Sequence, residues 1–385
     1  MDLIALFLKV KEQSLFGRYI TNNHIEPLLK NLTLDFNASE IGKSVNNNSI
    51  YSVEVGTGPK KILMWSQMHG NESTTTKALF DLFNFLKFDI SEAQNFKKEY
   101  TLLCIPILNP DGAQSYTREN ASNIDLNRDA INLSQPESCI LREVFNSFKP
   151  DFCFNLHDQR TIYAAGNTKN PATVSFLAPA FNDARDINAV REKAIVVIVA
   201  MNNELQKHIP NQIGRFDDTF NANCVGDTFQ SLGVPTILFE GGHFPMDYQR
   251  EETRKYLFIA LFTALTSINE NDVVPSKIAE YMNIPQNIPH FYDFIYKKIK
   301  INDNSSKKII TFAAHYDEIL SNNEILFEAN FVAIEGCENA FGHVEYDGNE
   351  SIYSDNNSNF PDIGKKANFY LNNNIKFVNG LIEMQ

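Results

Sequence analysis

The sequence predicts an α/β fold: a mostly parallel mixed sheet with helices on both faces, followed by a small β-rich C-terminal domain. Three observations predict it. Strand-like and helix-like segments alternate from about Lys60 onward. The strand-like segments are apolar runs of the kind that a sheet covered on both faces requires. From about Phe291 helical periodicity fades, and short strand-like runs separated by Asn/Asp/Gly turns take over. The expected division is therefore a catalytic-type domain over residues 1–290 and a small β-rich domain over 291–385.

In chain order, Leu3 to Leu8 is a short apolar stretch preceded by Asp2. It has no small-residue cleavage site after it, and reads as an amphipathic helix rather than a signal. Lys61 to Met68 reads as a buried strand, and helical spacing from Ser73 to Phe88 puts Ala78, Leu79, Leu82, Phe83 and Leu86 on one face. Tyr100 to Leu108 is the next strand, then a helix near Pro136–Phe148 and a strand over Asp151–Leu156. A long helix fits Asp183–Lys207, a short apolar strand Pro235–Phe239, and a helix Gln249–Ser267. In the C-terminal part the runs Lys308–Phe312, Ile325–Glu328 and Asn374–Val378 read as strands.

The composition narrows the partners. With 47 acidic against 34 basic residues the formal net charge is -13, which repels phosphate backbones. The nearest approach to a basic run, Lys297-Lys298 with Lys300 and then Lys307-Lys308, reads as solvated strands, so no nucleic-acid partner is expected. No run approaches the roughly 18–20 apolar residues of a membrane span, so no membrane partner is expected either. Five cysteines, an odd number with no CxxC pair, read as reduced thiols of a cytoplasmic protein.

Chemistry-bearing residues gather where predicted strands end, the place where open parallel sheets bind ligands. His69-Gly70-Asn71-Glu72 follows the first strong strand, with an imidazole and a carboxylate three positions apart across a loop that Gly70 is expected to make flexible. An HxxE alone is common. His157, ending the strand Asp151–Leu156, completes a two-His-one-Glu set, which catalytic zinc uses while keeping a position open for water. Glu240, in Phe239-Glu240-Gly241-Gly242-His243, ends another apolar strand, and its carboxylate suits the proton transfer that metal-activated water needs. The fourth feature is Asn109-Pro110-Asp111-Gly112, an ordinary turn by itself, with Arg118 and Asp125-Leu126-Asn127-Arg128 after it. Asn127 and Arg128 offer donors matched to a carboxylate. Arg118 suits an oxyanion, and Asp125 suits the free N–H of a metal-bound imidazole.

These four features, in this order, resemble the zinc metallocarboxypeptidase family, whose pattern is H-x-x-E, N-P-D-G with an Arg, D-L-N-R, a second zinc His and a catalytic Glu. The resemblance covers roughly Lys60 to Ala264. It implies a zinc carboxypeptidase-like fold and one Zn²⁺ per chain on His69, Glu72 and His157. It implies Glu240 as general base and then acid, and Arg118 as the group polarising the scissile carbonyl. Asn127 and Arg128 would hold the substrate's C-terminal carboxylate, and Asp125 would orient His69. Two departures qualify the substrate. Asn71 stands where pancreatic-type members have Arg, as in the related aspartoacylase and succinylglutamate desuccinylase branch. No Tyr lies between Tyr163 and Tyr248, where the peptidases carry a mobile one. A peptide is the expected substrate. The alternative is an N-acyl amino acid or a cell-wall peptide, cleaved by a zinc amidohydrolase. A third class, a binding protein that has lost catalysis, would lack one of the four key positions, and all four are present.

Overall fold

Unbroken burial along the central strands, every residue of Phe152–Asp158 and the last four of Lys60–Trp65, shows directly that both faces of the sheet are covered. The computed structural model describes residues 1–32, 35–268, 275–303, 306–355 and 358–383. Its strands run β1 (Phe36–Lys43), β2 (Ser49–Val55), β3 (Lys60–Trp65), β4 (Tyr100–Ile105), β5 (Phe152–Asp158), β6 (Tyr163–Ala165), β7 (Val174–Leu177), β8 (Ile213–Arg215) and β9 (Thr236–Gly241). Among the described residues all of these but β6 join one eight-stranded sheet, ordered β1-β2-β4-β3-β5-β9-β7-β8. The centre is parallel (β4 with β3, β3 with β5, β5 with β9), and antiparallel pairs flank it. Ile62, Met64, Phe152, Phe154 and Leu156 meet the core under the helices Leu3–Val10, Thr74–Leu86, Ala189–Leu205 and Glu251–Ser267. Leu63, Trp65 and Cys153 meet the opposite core, under Pro136–Phe148 and Val225–Ser231. The α/β class with a mixed, mostly parallel sheet holds.

Strand ends differ from the sequence expectation for local reasons. β3 stops at Trp65, before Gln67 turns into positive φ (44°). β4 stops at Ile105 because Pro106 has no N–H to donate. β5 and β9 run two residues further than expected, so His157 and Glu240 stand on the strands themselves, paired in register. The long helix begins at Ala189 rather than Asp183, where Asn188 caps it by accepting the Arg191 N–H at 2.9 Å.

The chain divides into two compact units, one of Met1–Arg160 with Ala172–Asn287 and one of Thr161–Pro171 with Ile288–Gln385. The second is β-rich, as expected. It holds a four-stranded sheet built from Glu324–Ile334, Ser306–Ser321, Phe291–Asp303 and Phe341–Asp347, and a smaller one from Tyr353–Ser354, Phe369–Leu371, Ile375–Val378 and Leu381–Ile382. Its core is aromatic, with Phe294, Tyr296, Phe312, Phe331, Phe369 and Phe377 packed together. Lys297, Lys298 and Lys300 each pair with an acid (Glu345, Asp347 and Glu350), so the basic stretch is a solvated strand face. No helix of the described residues is long and apolar enough to cross a membrane.

Candidate metal centre

The sheet order places β4 on one side of β3 and β5 on the other, so the loops after β3 and β5 open into one crevice. Side-chain anchors shape the loop after β3. Gln67 donates to the Gly70 carbonyl at 2.8 Å and accepts from Thr76 Oγ1 at 2.8 Å. Asn109 donates to the Met68 carbonyl at 3.2 Å and caps the helix Pro110–Ser115 by accepting from the Gly112 N–H at 2.8 Å. Gly70 corrects the sequence expectation. It is there for close approach and not for flexibility, since a Cβ at this position would collide with the backbone of Gly112 and Ala113.

Three side chains converge at the crevice. His69 Nδ1 lies 2.9 Å from Glu72 Oε1, His157 Nδ1 lies 2.8 Å from Glu72 Oε2, and the two Nδ1 atoms are 3.1 Å apart. One atom from each lies within 4.8 Å of the others. Two nitrogens each about 2.0–2.1 Å from a tetrahedral zinc stand ~3.3 Å apart, so the donors fit such an ion in both chemistry and spacing. His69 Nε2 is 3.0 Å from Asp125 Oδ1, which leaves Nδ1 turned inward. Burial alone would depress His69, but Glu72 and Asp125 outweigh it and hold its pKa up; at His157 burial wins and holds it down. The Glu72 and Asp125 carboxyls are both held well below the usual carboxylate range, against burial, chiefly by the imidazoles beside them.

The remaining sequence-predicted residues ring this cluster. Glu240 is the register neighbour of His157 on β9. Its Oε2 is buried without a hydrogen-bond partner, and burial, with the nearby Glu72 and Asp158 charges, pushes its pKa well up. Arg118 is exposed and donates to Asp125 Oδ2 at 3.1–3.2 Å and to Glu72 Oε1 at 3.3 Å. Asn127 accepts from the Val225 N–H at 3.1 Å, and the exposed Arg128 donates to Cys224 Sγ at 3.0 Å. His243 packs against Tyr248 with tilted rings, centroids 4.7 Å apart, as a loop partner does. The stretch 215–221, within the span that lacks a Tyr, is tied down by Asp218, which receives Arg191 at 2.6 Å.

Two supporting acids escaped the sequence reading. Asp111, in the supposedly ordinary turn, accepts from Ser44 Oγ at 2.6 Å, Asn48 Nδ2 at 2.7 Å and the Asn46 N–H at 2.9 Å, and so ties that turn to the β1–β2 hairpin. Asp158 accepts from the Thr74 N–H and hydroxyl, at 3.0 and 2.6 Å, while its own N–H donates to Glu72. An acid directly after a candidate ligand on a largely apolar strand was the available signal for Asp158.

Comparison with known proteins points to the same family as the motifs. Residues 35–196 match the family model described as zinc carboxypeptidase. Carboxypeptidase SOL1 of Arabidopsis thaliana is 31% identical over 31% of this chain and 29% of its own. Carboxypeptidase 2 of Trichophyton tonsurans is 29% identical over 33% of this chain and 24% of its own. The match thus spans about a quarter of these curated relatives' length. A metallo-carboxypeptidase from Burkholderia cenocepacia superposes with a TM-score of 0.52 at 16% identity, covering 66% of this chain and 70% of that one. Carboxypeptidase A from Helicoverpa armigera gives 0.52 at 15% identity, covering 70% and 80%. The fold is the carboxypeptidase fold, and the resemblance read from the motifs is borne out.

Proposed function

We propose that this chain, a relative of the zinc metallocarboxypeptidases, is itself a zinc-dependent carboxypeptidase that hydrolyses a C-terminal peptide bond. The observation that carries the reading is the convergence of His69, Glu72 and His157 beside an unligated acid, Glu240. The two histidines and Glu72 would hold one zinc per chain, which when bound acidifies water and polarises a carbonyl. Glu240, with Oε2 buried and unpartnered, accepts the water's proton and returns it to the departing amine. Arg118, held at the rim by Asp125 and Glu72, stabilises developing negative charge on the carbonyl oxygen. Asn127 and Arg128 orient the substrate's terminal carboxylate. Asp125 keeps the His69 ring turned with Nδ1 inward. Five free thiols, with those of Cys104 and Cys153 pushed up by burial, support a cytoplasmic location.

A second reading, a zinc amidohydrolase acting on N-acyl amino acids or cell-wall peptides, is favoured by Asn71 in the ligand loop and by the β-rich C-terminal unit. A substrate panel separates the two. Release of free C-terminal amino acids from peptides supports the carboxypeptidase, whereas turnover confined to N-acetyl or N-succinyl amino acids replaces it with the second reading.

A further inference from the structure

Of the two candidate zinc imidazoles, His69 has its outward nitrogen held by Asp125, whereas His157 Nε2 is buried without a direct partner. Two more such atoms lie on the same face of the sheet. Asn155 precedes His157 by two residues on β5, so their side chains share a face with Cys153. Trp65 is the register partner of Asn155 on β3 and belongs to the same core. Trp65 Nε1 and Asn155 Oδ1 are both buried without a partner, and all three residues are at most 2% exposed. The helix Val225–Ser231 covers them: Phe229 meets Trp65 edge-on at 5.4 Å, and a Cβ on Gly226 would lie 3.9 Å from Asn155 Nδ2.

We propose that Asn155 is a positioning residue for His157, acting through one bound water. The unpartnered set is two donors, Trp65 Nε1–H and His157 Nε2–H, and one acceptor, Asn155 Oδ1. A water that accepts from both donors and donates to Asn155 satisfies all three, the usual number of bonds for a buried water. It also fixes the proton on Nε2, which leaves the Nδ1 lone pair facing Glu72 and His69, the counterpart of what Asp125 does for His69. The inference rests on the metal reading above.

The test is zinc affinity, by chelator competition on the full chain, with the melting temperature of dialysed protein as the folding control. Asn155→Leu removes the acceptor and is expected to weaken zinc binding by about 10–100-fold while the dialysed protein melts near wild type. Asn155→Asp restores an oxygen and recovers most of the affinity. Equal zinc affinity in wild type and a folded Asn155→Leu overturns the inference alone. Wild-type protein that takes up no zinc overturns the metal reading, and this inference with it. Should Asn155→Leu fail to fold, a high-resolution crystal structure of the wild type decides. A water within hydrogen-bond distance of Asn155 Oδ1 and His157 Nε2 upholds the inference, and its absence overturns it.

Discussion

Gly70 sits between two of the three proposed ligands, and adding one methyl group there tests whether backbone packing sets the metal site. A Cβ at position 70 would run into the Gly112 carbonyl group and the Ala113 nitrogen, all main-chain atoms with no rotamer to escape through. The helix Pro110–Ser115 cannot easily yield, because Asn109 caps it and Asp111 anchors it to Ser44, Asn46 and Asn48. The ligand loop must therefore move. Restoring an ordinary carbon–carbon separation of about 3.5 Å requires a shift of more than ~1 Å, several times the ~0.2 Å tolerance of a metal–ligand distance. Overpacking of this kind costs about 1–3 kcal/mol, which lowers the melting temperature of a domain this size by roughly 2–10 °C. A misplacement near 1 Å lowers turnover by about 100-fold. For Gly70→Ala the expected result is therefore a lower melting temperature by circular dichroism, substoichiometric zinc after dialysis, and a kcat/KM on a C-terminal peptide reduced by at least that factor. Full zinc occupancy with wild-type turnover would refute the reasoning.

Glu240→Gln keeps the shape of the side chain and removes its basicity. Turnover should fall by about 10²–10⁴-fold with zinc retained near one per chain, and a variant turning over at the wild-type rate removes Glu240 from its role. Glu251 should make the fold acid-sensitive. Burial would raise its pKa, but Lys77 at 2.6 Å, Lys11 at 2.8 Å and Arg254 outweigh burial and hold it down to about 2. Because the folded pKa is depressed, this stabilisation is complete above the unfolded value near 4.3 and is lost as pH falls from there toward 2. About 2–3 kcal/mol should disappear across that window; Glu251→Gln, compared by denaturant melts at pH 7 and pH 3, should lack most of that pH dependence.

Much of the site was legible because its parts are local in sequence. His69 and Glu72 share one loop, His157 and Glu240 each close an apolar run, and Asp125 to Arg128 is a single turn. The strand ends themselves were misplaced by two residues at β5 and β9, since a polar ligand and a carboxylate look like loop residues until the ladder His157↔Glu240 is seen. The peripheral strands β1, β2, β7 and β8 were not read. β1 is largely exposed and polar, and β7 and β8 have only four and three residues, so neither carries a periodic signal. The roles of Asp111, Asp158 and Gly70 depend on partners 63 to 86 positions away or on a backbone contact, and nothing local announces them. Gly70 shows this most plainly: from sequence a glycine means freedom, and here it means a neighbour too close for a side chain.

The central claim is that two imidazoles and one carboxylate, distant in sequence, share a single zinc ion. Anomalous diffraction at the zinc edge, from wild-type crystals grown with one equivalent of Zn²⁺, tests it most directly. The account predicts one peak, about 2.0–2.1 Å from Nδ1 of both His69 and His157 and in contact with the Glu72 carboxylate, and its loss in His157→Ala. A zinc peak on other side chains, or none at these three, would contradict it.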